Sequence, residues 1–175
     1  MDNTPMDLKK FIREIPDFPK PGILFYDITT LLKEASAFGF AVEKMAEYYA
    51  QQKIDYVVGI EARGFIFGGA VAYLLGVGFL TIRKPNKLPA RTISVAYDLE
   101  YGEDRLEIHA DSFCANDRIL VIDDLLATGG TIAAAIHMLT SLHANIVGLG
   151  FLLELPFLKA RERLPAQNIY SLVTY

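Results

Sequence analysis

The chain has 175 residues, of which 52% are hydrophobic and 22% charged, and its formal net charge at pH 7 is −4. This composition excludes a disordered chain and argues against a general nucleic-acid binder, which needs a basic face. The single cysteine, Cys114, excludes an intramolecular disulfide and a paired-cysteine metal site, as is typical of a reducing compartment. The N-terminus is too polar for a signal peptide and no apolar run is long enough to span a bilayer, so we expect a cytoplasmic protein that does not enter membranes.

The first half of the chain alternates predicted helices and strands. PDFPKPG, Pro16 to Gly22, predicts a hinge between a short amphipathic helix and the body of the protein. Apolar residues at helical spacing predict a helix from Ser36 to Gln52. YVVGI, Tyr56 to Ile60, predicts a buried strand, followed by the loop EARG, the helix FIFGGAVAYLLG and the strand GFLTI, Gly78 to Ile82. The polar and basic segment from Arg83 to Arg105 is predicted to be irregular.

The second half repeats the alternation. RILVID predicts a strand, LLATGG a loop, and the segment from Thr131 to His143 a helix. NIVGLGFLLEL, Asn145 to Leu155, and IYSLVTY predict two further strands. Near-continuous apolar strands that alternate with helices indicate an α/β fold with a parallel sheet covered on both faces. Ligands of such sheets bind beyond the carboxyl ends of the strands, where we expect the loops after Ile60 and Asp123.

The stretch VIDDLLATGGT, Val121 to Thr131, joins two carboxylates to a small-residue loop at the start of a helix. The unpaired amides and the dipole of a helix N-terminus bind an anion without a cationic side chain. The loop ATGGT has so little bulk that a phosphate can approach its backbone, and its threonine hydroxyls can add hydrogen bonds. Asp123 and Asp124 can accept hydrogen bonds from sugar hydroxyls, directly or through a divalent cation. The stretch therefore predicts a site for a ribose 5-phosphate.

Other phosphate-binding signatures fit this sequence poorly. A P-loop requires a lysine that does not follow Gly130, and the GVG at Gly76 to Gly78 lacks the third glycine of a dinucleotide fingerprint. An ordinary strand–turn–helix with a Gly-rich turn is the alternative interpretation of TGGT.

The motif VIDDLLATGGT resembles the binding motif for 5-phosphoribosyl diphosphate (PRPP) of the type I phosphoribosyltransferases, and DDLLATGGT is most similar to their adenine-specific members. FPKPGILFYDIT, EARGFIFG, RKPNKLP and YDLEYG resemble further segments of the same enzymes in the same order, from about Ile15 to the C-terminus. The resemblance implies one phosphoribosyltransferase domain over residues 1–175, with a central, mainly parallel sheet flanked by helices and a flexible hood loop. It also implies transfer of the phosphoribosyl group from PRPP to N9 of adenine, a purine salvage reaction that gives AMP and diphosphate.

The resemblance implies a division of PRPP among several segments. The 5-phosphate falls to the ATGGT loop and the ribose hydroxyls to the acidic pair, that is, to Ala127, Thr128, Gly129, Gly130, Thr131, Asp123 and Asp124. The pyrophosphate falls to the EARG loop and to cations at the start of the hood, that is, to Glu61, Ala62, Arg63, Gly64, Arg83, Lys84 and Lys87. Arg63 is the anion-binding side chain of this loop, since its guanidinium fork matches phosphate oxygens, with a surface salt bridge as its alternative role. The implied cofactor is Mg²⁺, held mainly through PRPP and not by a direct protein ligand.

Residues 83–106 resemble the mobile catalytic loop, or hood, of these enzymes. Its closure would exclude water, which competes as the nucleophile at C1′. Within it, Glu100 and Tyr101 match the catalytic acid/base and gating residues, so that with Arg63 they form the expected catalytic set. The alternatives are a flexible surface loop with solvated charges and, for Glu100, an edge-strand carboxylate on a hairpin.

Adenine recognition is expected in the N-terminal segment, residues 1–35. By resemblance, Phe25 stacks on the base, backbone groups near Leu24 and Tyr26 read its edge, and Leu125 completes the apolar wall. The chain departs from the family at Tyr26, where an Arg is common, and at Asn86, where a Gly is often found.

The expected partners are small molecules, namely adenine, PRPP, AMP and diphosphate, together with a second copy of the chain in a homodimer. Phe65, Phe67 and Tyr73, at helical spacing, are interpreted as core or subunit-interface residues. Two alternatives are a phosphoribosyltransferase for another base, such as a 6-oxopurine, and a regulator with this fold that senses a nucleotide or PRPP. A regulator that binds nucleic acid would be expected to show a basic face or an added winged helix.

Overall fold

The computed structural model describes residues 6–99, 102–165 and 168–175, and divides into two units with the boundary between Lys44 and Met45. The N-terminal unit contains a 3-10 helix (Leu8–Phe11), strands β1 (Arg13–Ile15) and β2 (Phe25–Asp27), helix α1 (Thr29–Leu32) and the first part of helix α2 (Ala35–Tyr49). The second unit contains β3 (Tyr56–Ile60), α3 (Gly64–Leu75), β4 (Gly78–Ile82), β5 (Thr92–Leu99), β6 (Gly102–His109), β7 (Arg118–Leu126), α4 (Gly130–Ser141), β8 (Asn145–Glu154), a 3-10 helix (Pro156–Leu158), α5 (Ala160–Arg163) and β9 (Ile169–Thr174).

The predicted hinge at Pro16 to Gly22 is wrong, because this stretch lies within the connection between two paired strands. β1 and β2 are antiparallel, with Ile15 opposite Phe25. The connection is closed by its own hydrogen bonds, since the Gly22 amide donates to Asp17 Oδ1 over 2.7 Å. A stretch rich in Pro and Gly indicates a turn, but the sequence alone does not say what the turn joins.

The central sheet of the second unit has five parallel strands in the order β4-β3-β7-β8-β9. This confirms the predicted fold class. Successive residues of a strand point to opposite faces, and in β3 and β8 runs of successive residues are buried, including Val57, Val58, Phe151 and Leu152. Both faces of these strands are therefore covered. α3 packs against β3, β4 and β7, and α4 packs against β8.

The segment from Arg83 to Arg105 was predicted to be irregular, and this prediction is wrong over most of its length. β5 and β6 form an antiparallel pair, from Thr92 opposite His109 to Leu99 opposite Gly102. Ile93, Val95 and Tyr97 occupy alternate positions of β5 and pack against the core, whereas the residues between them are small or polar. This period-2 pattern is a strand signal that the high charge content of the segment concealed.

The loop after the acidic pair is shorter than predicted. β7 continues through Leu126, because Leu125 and Leu126 pair with Leu153 and Glu154 of β8. Only residues 127–129 connect the strand to α4. In the described part of the chain no helix has the length and apolar character needed to cross a membrane.

Candidate active site

A cavity of about 390 Å³ lies at the carboxyl ends of β3, β4 and β7. Its lining consists of Glu61, Ala62, Arg63, Lys84, Asp123, Asp124, Leu125, Leu126, Ala127, Thr128, Gly129, Gly130, Thr131 and Ile132. From β3 the sheet extends to β4 on one side and through β7 to β8 and β9 on the other, so the strand order reverses between β3 and β7. Ligands of open α/β sheets bind at such a reversal, so the topology alone selects this cavity.

One wall of the cavity is the N-terminus of α4. Gly129 caps the helix with φ of +85° and ψ of −1°, a left-handed conformation that side chains rarely adopt. The next residues, Gly130, Thr131 and Ile132, form the first helical turn and line the cavity. Amides of a first turn have no acceptor within their own helix, and the helix dipole adds a partial positive charge there. This wall is suited to bind a phosphate.

The acidic pair lies on β7 beside this wall. Asp124, with 6% of its surface exposed, forms a salt bridge with Arg63, whose Nε lies 2.7 Å from Oδ2 of the carboxylate. Asp123 Oδ1 accepts the amide of Asp124 over 2.9 Å. Burial, followed by the charge of Asp124, raises the pKa of Asp123 well above its ordinary value. Burial also raises the pKa of Asp124, against the opposing effect of Arg63. Two carboxylates so close and so poorly solvated favour a ligand that brings hydroxyl donors or a cation.

Arg63 does form a salt bridge, but inside the cavity and not on the surface. Its guanidinium is held by Asp124, and a diphosphate in the cavity would compete with that carboxylate for the same N–H groups. The side chain keeps 39% of its surface exposed, so it can turn towards a ligand without leaving a packed environment.

Gly64 supports the cavity without lining it. It is the first residue of α3, and an added Cβ would lie 2.8 Å from Asp123 Oδ1 and 2.9 Å from the carbonyl oxygen of Ile122. Only a glycine lets α3 begin this close to β7. The close approach places Arg63, the residue before the helix, beside the acidic pair.

Glu61 holds the beginning of the hood segment. Its carboxylate accepts hydrogen bonds from Nε and Nη2 of Arg83, at 3.2 and 3.3 Å, and from the amide of Lys84 at 3.0 Å. Burial opposes its charge, but the Lys84 amide and the Arg83 guanidinium outweigh burial and lower its pKa. The peptide bond between Glu61 and Ala62 is cis. These contacts tie the loop after β3 to the segment after β4.

The hood cations occupy different positions. Lys84 lines the cavity, and its Nζ lies 3.0 Å from the hydroxyl of Tyr97 on β5. Arg83 is turned towards Glu61 and donates from Nη1 to the carbonyl of Lys87. The side chain of Lys87 is exposed and is not part of the cavity lining. Asn86 adopts a left-handed φ of 63°, which explains why a glycine suits this position and why an Asn is tolerated.

The structure thus brings most of the predicted PRPP residues around one cavity, together with Leu125, which was expected to contact the base. Leu126 and Ile132 also line it and were not predicted; the continuation of the apolar run of β7 was the available signal for Leu126. Glu100 and Tyr101 lie outside the described residues. Leu24, Phe25 and Tyr26 belong to the N-terminal unit, where Phe25 packs edge-on against Phe18 with the ring centroids 5.1 Å apart.

Comparison with known proteins agrees with this geometry. Residues 29–173 match the model of the phosphoribosyl transferase domain family. The adenine phosphoribosyltransferase of Halothermothrix orenii is 57% identical over 168 residues, which cover 96% of this chain and 99% of the relative. The chain belongs to the adenine phosphoribosyltransferase family.

Solved structures of adenine phosphoribosyltransferases share this fold. The enzyme of Thermoanaerobacter pseudethanolicus superposes with a TM-score of 0.93 at 50% identity, covering 96% of this chain and 98% of the other. The enzyme of Saccharomyces cerevisiae, solved with adenine and an iminoalditol bisphosphate, superposes with a TM-score of 0.89 at 38% identity, covering 95% and 96%.

Proposed function

We propose that this chain transfers the 5-phosphoribosyl group of PRPP to N9 of adenine and releases AMP and diphosphate, the purine salvage reaction of adenine phosphoribosyltransferases. The observation that carries this proposal is that a helix N-terminus, a largely buried acidic pair and the cations Arg63 and Lys84 line one cavity. Its volume of about 390 Å³ is within the range of roughly 300–1,000 Å³ that is typical of small-molecule sites. The phosphoribosyl transfer itself is proposed from the family to which the chain belongs, and the charges of the cavity suit it.

In this proposal, the parts of PRPP are distributed over the cavity by charge. The backbone from Ala127 to Thr131 binds the 5-phosphate, because it offers amides and a helix dipole without a carboxylate. Asp123 and Asp124 bind the ribose hydroxyls. Ala62, Arg63 and Lys84 bind the pyrophosphate on the opposite side. When it binds, Arg63 exchanges the carboxylate of Asp124 for a phosphate oxygen, which leaves Asp124 available to a hydroxyl.

Mg²⁺ is the proposed cofactor, and it fits the oxygen donors of this site. Magnesium prefers phosphate, carboxylate and water oxygens in octahedral geometry and usually keeps several waters. Among the described residues no group of three or more His, Cys, Asp or Glu side chains has the arrangement of a metal site. The diphosphate would thus provide most of the ligands, with the acidic pair at hand for the remainder. When bound, the ion neutralises charge that develops on the leaving diphosphate.

The reaction forms the bond between N9 and C1′ and breaks the bond from C1′ to the diphosphate oxygen, while adenine loses its imidazole proton. We propose that Glu100 takes up this proton, that Tyr101 gates the site, and that residues 83–106 close over it and exclude water. Leu24, Phe25, Tyr26 and Leu125 are proposed to bind adenine. On this proposal residues 1–175 act as one catalytic domain, in the cytoplasm.

A homodimer is proposed from the surface of α3. Ile66, Tyr73 and Leu74 recur at helical spacing on this helix and are 40%, 84% and 49% exposed. Phe67, which was interpreted as a core or interface residue, is fully buried, whereas Tyr73 is the most exposed of the large apolar residues that the structure describes. An apolar helix face of this kind is typical of a subunit interface. Light scattering with size-exclusion chromatography on Tyr73→Lys should then show a monomer.

An ultraviolet assay tests the reaction. AMP formation is followed with adenine, hypoxanthine or guanine, each with and without PRPP and Mg²⁺. We expect product with adenine only, and only when both PRPP and Mg²⁺ are present. Product from hypoxanthine or guanine would instead identify a 6-oxopurine enzyme, and binding of PRPP without consumption of any base would identify a regulator. In the double variant Asp123→Asn, Asp124→Asn, PRPP binding should be lost while the circular dichroism spectrum is unchanged.

A further inference from the structure

An ion pair between a buried carboxylate and a half-exposed guanidinium lies next to the phosphate-binding wall. Glu154, the last residue of β8, is 4% exposed, and its two carboxylate oxygens accept from Nε and Nη2 of Arg161, both at 2.7 Å. The hydroxyl of Ser171 on β9 donates to the same carboxylate over 2.6 Å. The guanidinium of Arg161 lowers the pKa of Glu154 against the effect of burial, so the carboxylate is charged at neutral pH. A bidentate pair of this geometry fixes the orientation of both partners.

This pair ties α5 to the central sheet, because Arg161 is on α5 and Glu154 is on β8. Ala160, the neighbour of Arg161, is 3% exposed and belongs to the same apolar cluster as Leu126 and Ile132. A Cβ built on Gly129 would lie 3.2 Å from Cβ of Ala160. The segment that leaves β8 therefore packs directly against the glycine that caps α4.

The same segment also contacts the other end of the phosphate loop. The amide of Leu155 donates to the carbonyl of Leu126 over 3.0 Å, at the last residue of β7. Residues 127–129 are thus bounded on one side by a hydrogen bond at Leu126 and on the other by the contact between Gly129 and Ala160. Neither Glu154 nor Arg161 lines the cavity.

We infer that Glu154 and Arg161 are a positioning pair for the loop that binds the 5-phosphate: by fixing α5 against Gly129 they hold the first-turn amides of α4 in the geometry that a phosphate needs. The inference rests on the proposed function, because it assigns the phosphate of PRPP to this loop. Ribose 5-phosphate and pyrophosphate probe the two ends of the cavity separately. Only the first ligand depends on the loop, whereas the second depends on Arg63 and Lys84.

The test compares four variants by isothermal titration calorimetry. Arg161→Met removes the guanidinium but keeps an unbranched apolar side chain, and Arg161→Lys keeps the charge without the fork. Ser171→Ala removes one hydrogen bond from the carboxylate. Arg163→Met is the matched control, because Arg163 is an exposed arginine on the same helix. For Arg161→Met we expect ribose 5-phosphate to bind about tenfold more weakly, the effect of one misaligned charge-assisted hydrogen bond, with pyrophosphate affinity unchanged.

The other variants should form a graded series. Arg161→Lys should show an intermediate loss, Ser171→Ala a smaller one, and Arg163→Met none. In steady-state assays the KM for PRPP should rise, whereas the KM for adenine and kcat should stay unchanged. General destabilisation does not produce this pattern. If Arg161→Met does not fold because Glu154 remains buried and unpaired, the double variant Glu154→Gln, Arg161→Met, which carries no buried charge, takes its place.

Two results would overturn the inference. One is equal affinity for ribose 5-phosphate in the wild type and in folded Arg161→Met or the double variant. The other is an equal loss of affinity for ribose 5-phosphate and pyrophosphate, which would indicate damage to the whole site. A wild-type protein that binds neither ligand and forms no AMP would instead refute the proposed function, so the two failures are distinguishable.

Discussion

The contact between Gly64 and β7 makes Gly64→Ala a sharp test of how the cavity is built. The added Cβ would lie 2.9 Å from the backbone carbonyl oxygen of Ile122, about 0.5 Å closer than the 3.4 Å at which ordinary contact begins. Ile122 is in the middle of the sheet and cannot yield, so the start of α3 has to move away. Overpacking of this kind costs roughly 1–3 kcal/mol. For a chain of this length a loss of roughly 2 kcal/mol lowers Tm by about 4–8 °C.

The assay is thermal and urea unfolding of Gly64→Ala beside Gly39→Ala. Gly39 lies within α2 and has open space where a Cβ would be added, so that variant should be stabilised by about 0.5–1 kcal/mol through helix propensity. The same substitution should therefore shift stability in opposite directions at the two sites. Gly64→Ala should also bind pyrophosphate more weakly, because the displaced helix carries Arg63 away from the cavity. A Gly64→Ala protein as stable as the wild type would refute the reasoning.

Three further predictions concern single carboxylates. Glu61→Ala should weaken pyrophosphate binding severalfold in calorimetry, because the amide of Lys84 loses the carboxylate that holds it. Tighter binding would contradict this and would mean that Glu61 acts on the ligand only through charge repulsion. Asp123→Asn should raise Tm at pH 7 and abolish PRPP binding. The pKa of Asp123 is raised in the folded state, so its charged carboxylate destabilises that state at pH 7, and a lower Tm in the variant would contradict this. The hydrogen bond from Arg13, followed by that from the Thr29 amide, lowers the pKa of Asp27 from 3.8 to about 2, so its stabilisation is present above pH 3.8 and is lost as the pH falls through about 2. The urea midpoint of the wild type should therefore decrease over this interval relative to that of Asp27→Asn, and parallel curves would exclude the contribution.

The local patterns of this chain predicted its elements because those patterns have local causes. Apolar runs at Tyr56 to Ile60 and Gly78 to Ile82 are strands with the predicted bounds, and the helical pattern after Ser36 is α2. The pattern failed where two signals competed. In the segment after Arg83, charged residues concealed the period-2 alternation of β5, and at Leu125 pairing with β8 extended a strand where a loop was predicted.

The sequence by itself determined the acidic pair, the small-residue loop and the cationic loop, because each is a short motif whose chemistry is readable without a fold. Tertiary structure alone decided what these motifs contact. The salt bridge from Arg63 to Asp124 joins residues at the ends of two different strands, and the contact between Ala160 and Gly129 joins segments that α4 and β8 separate along the chain. Such contacts depend on strand order and on close approach of backbones, and neither is encoded in the spacing of residues along the chain.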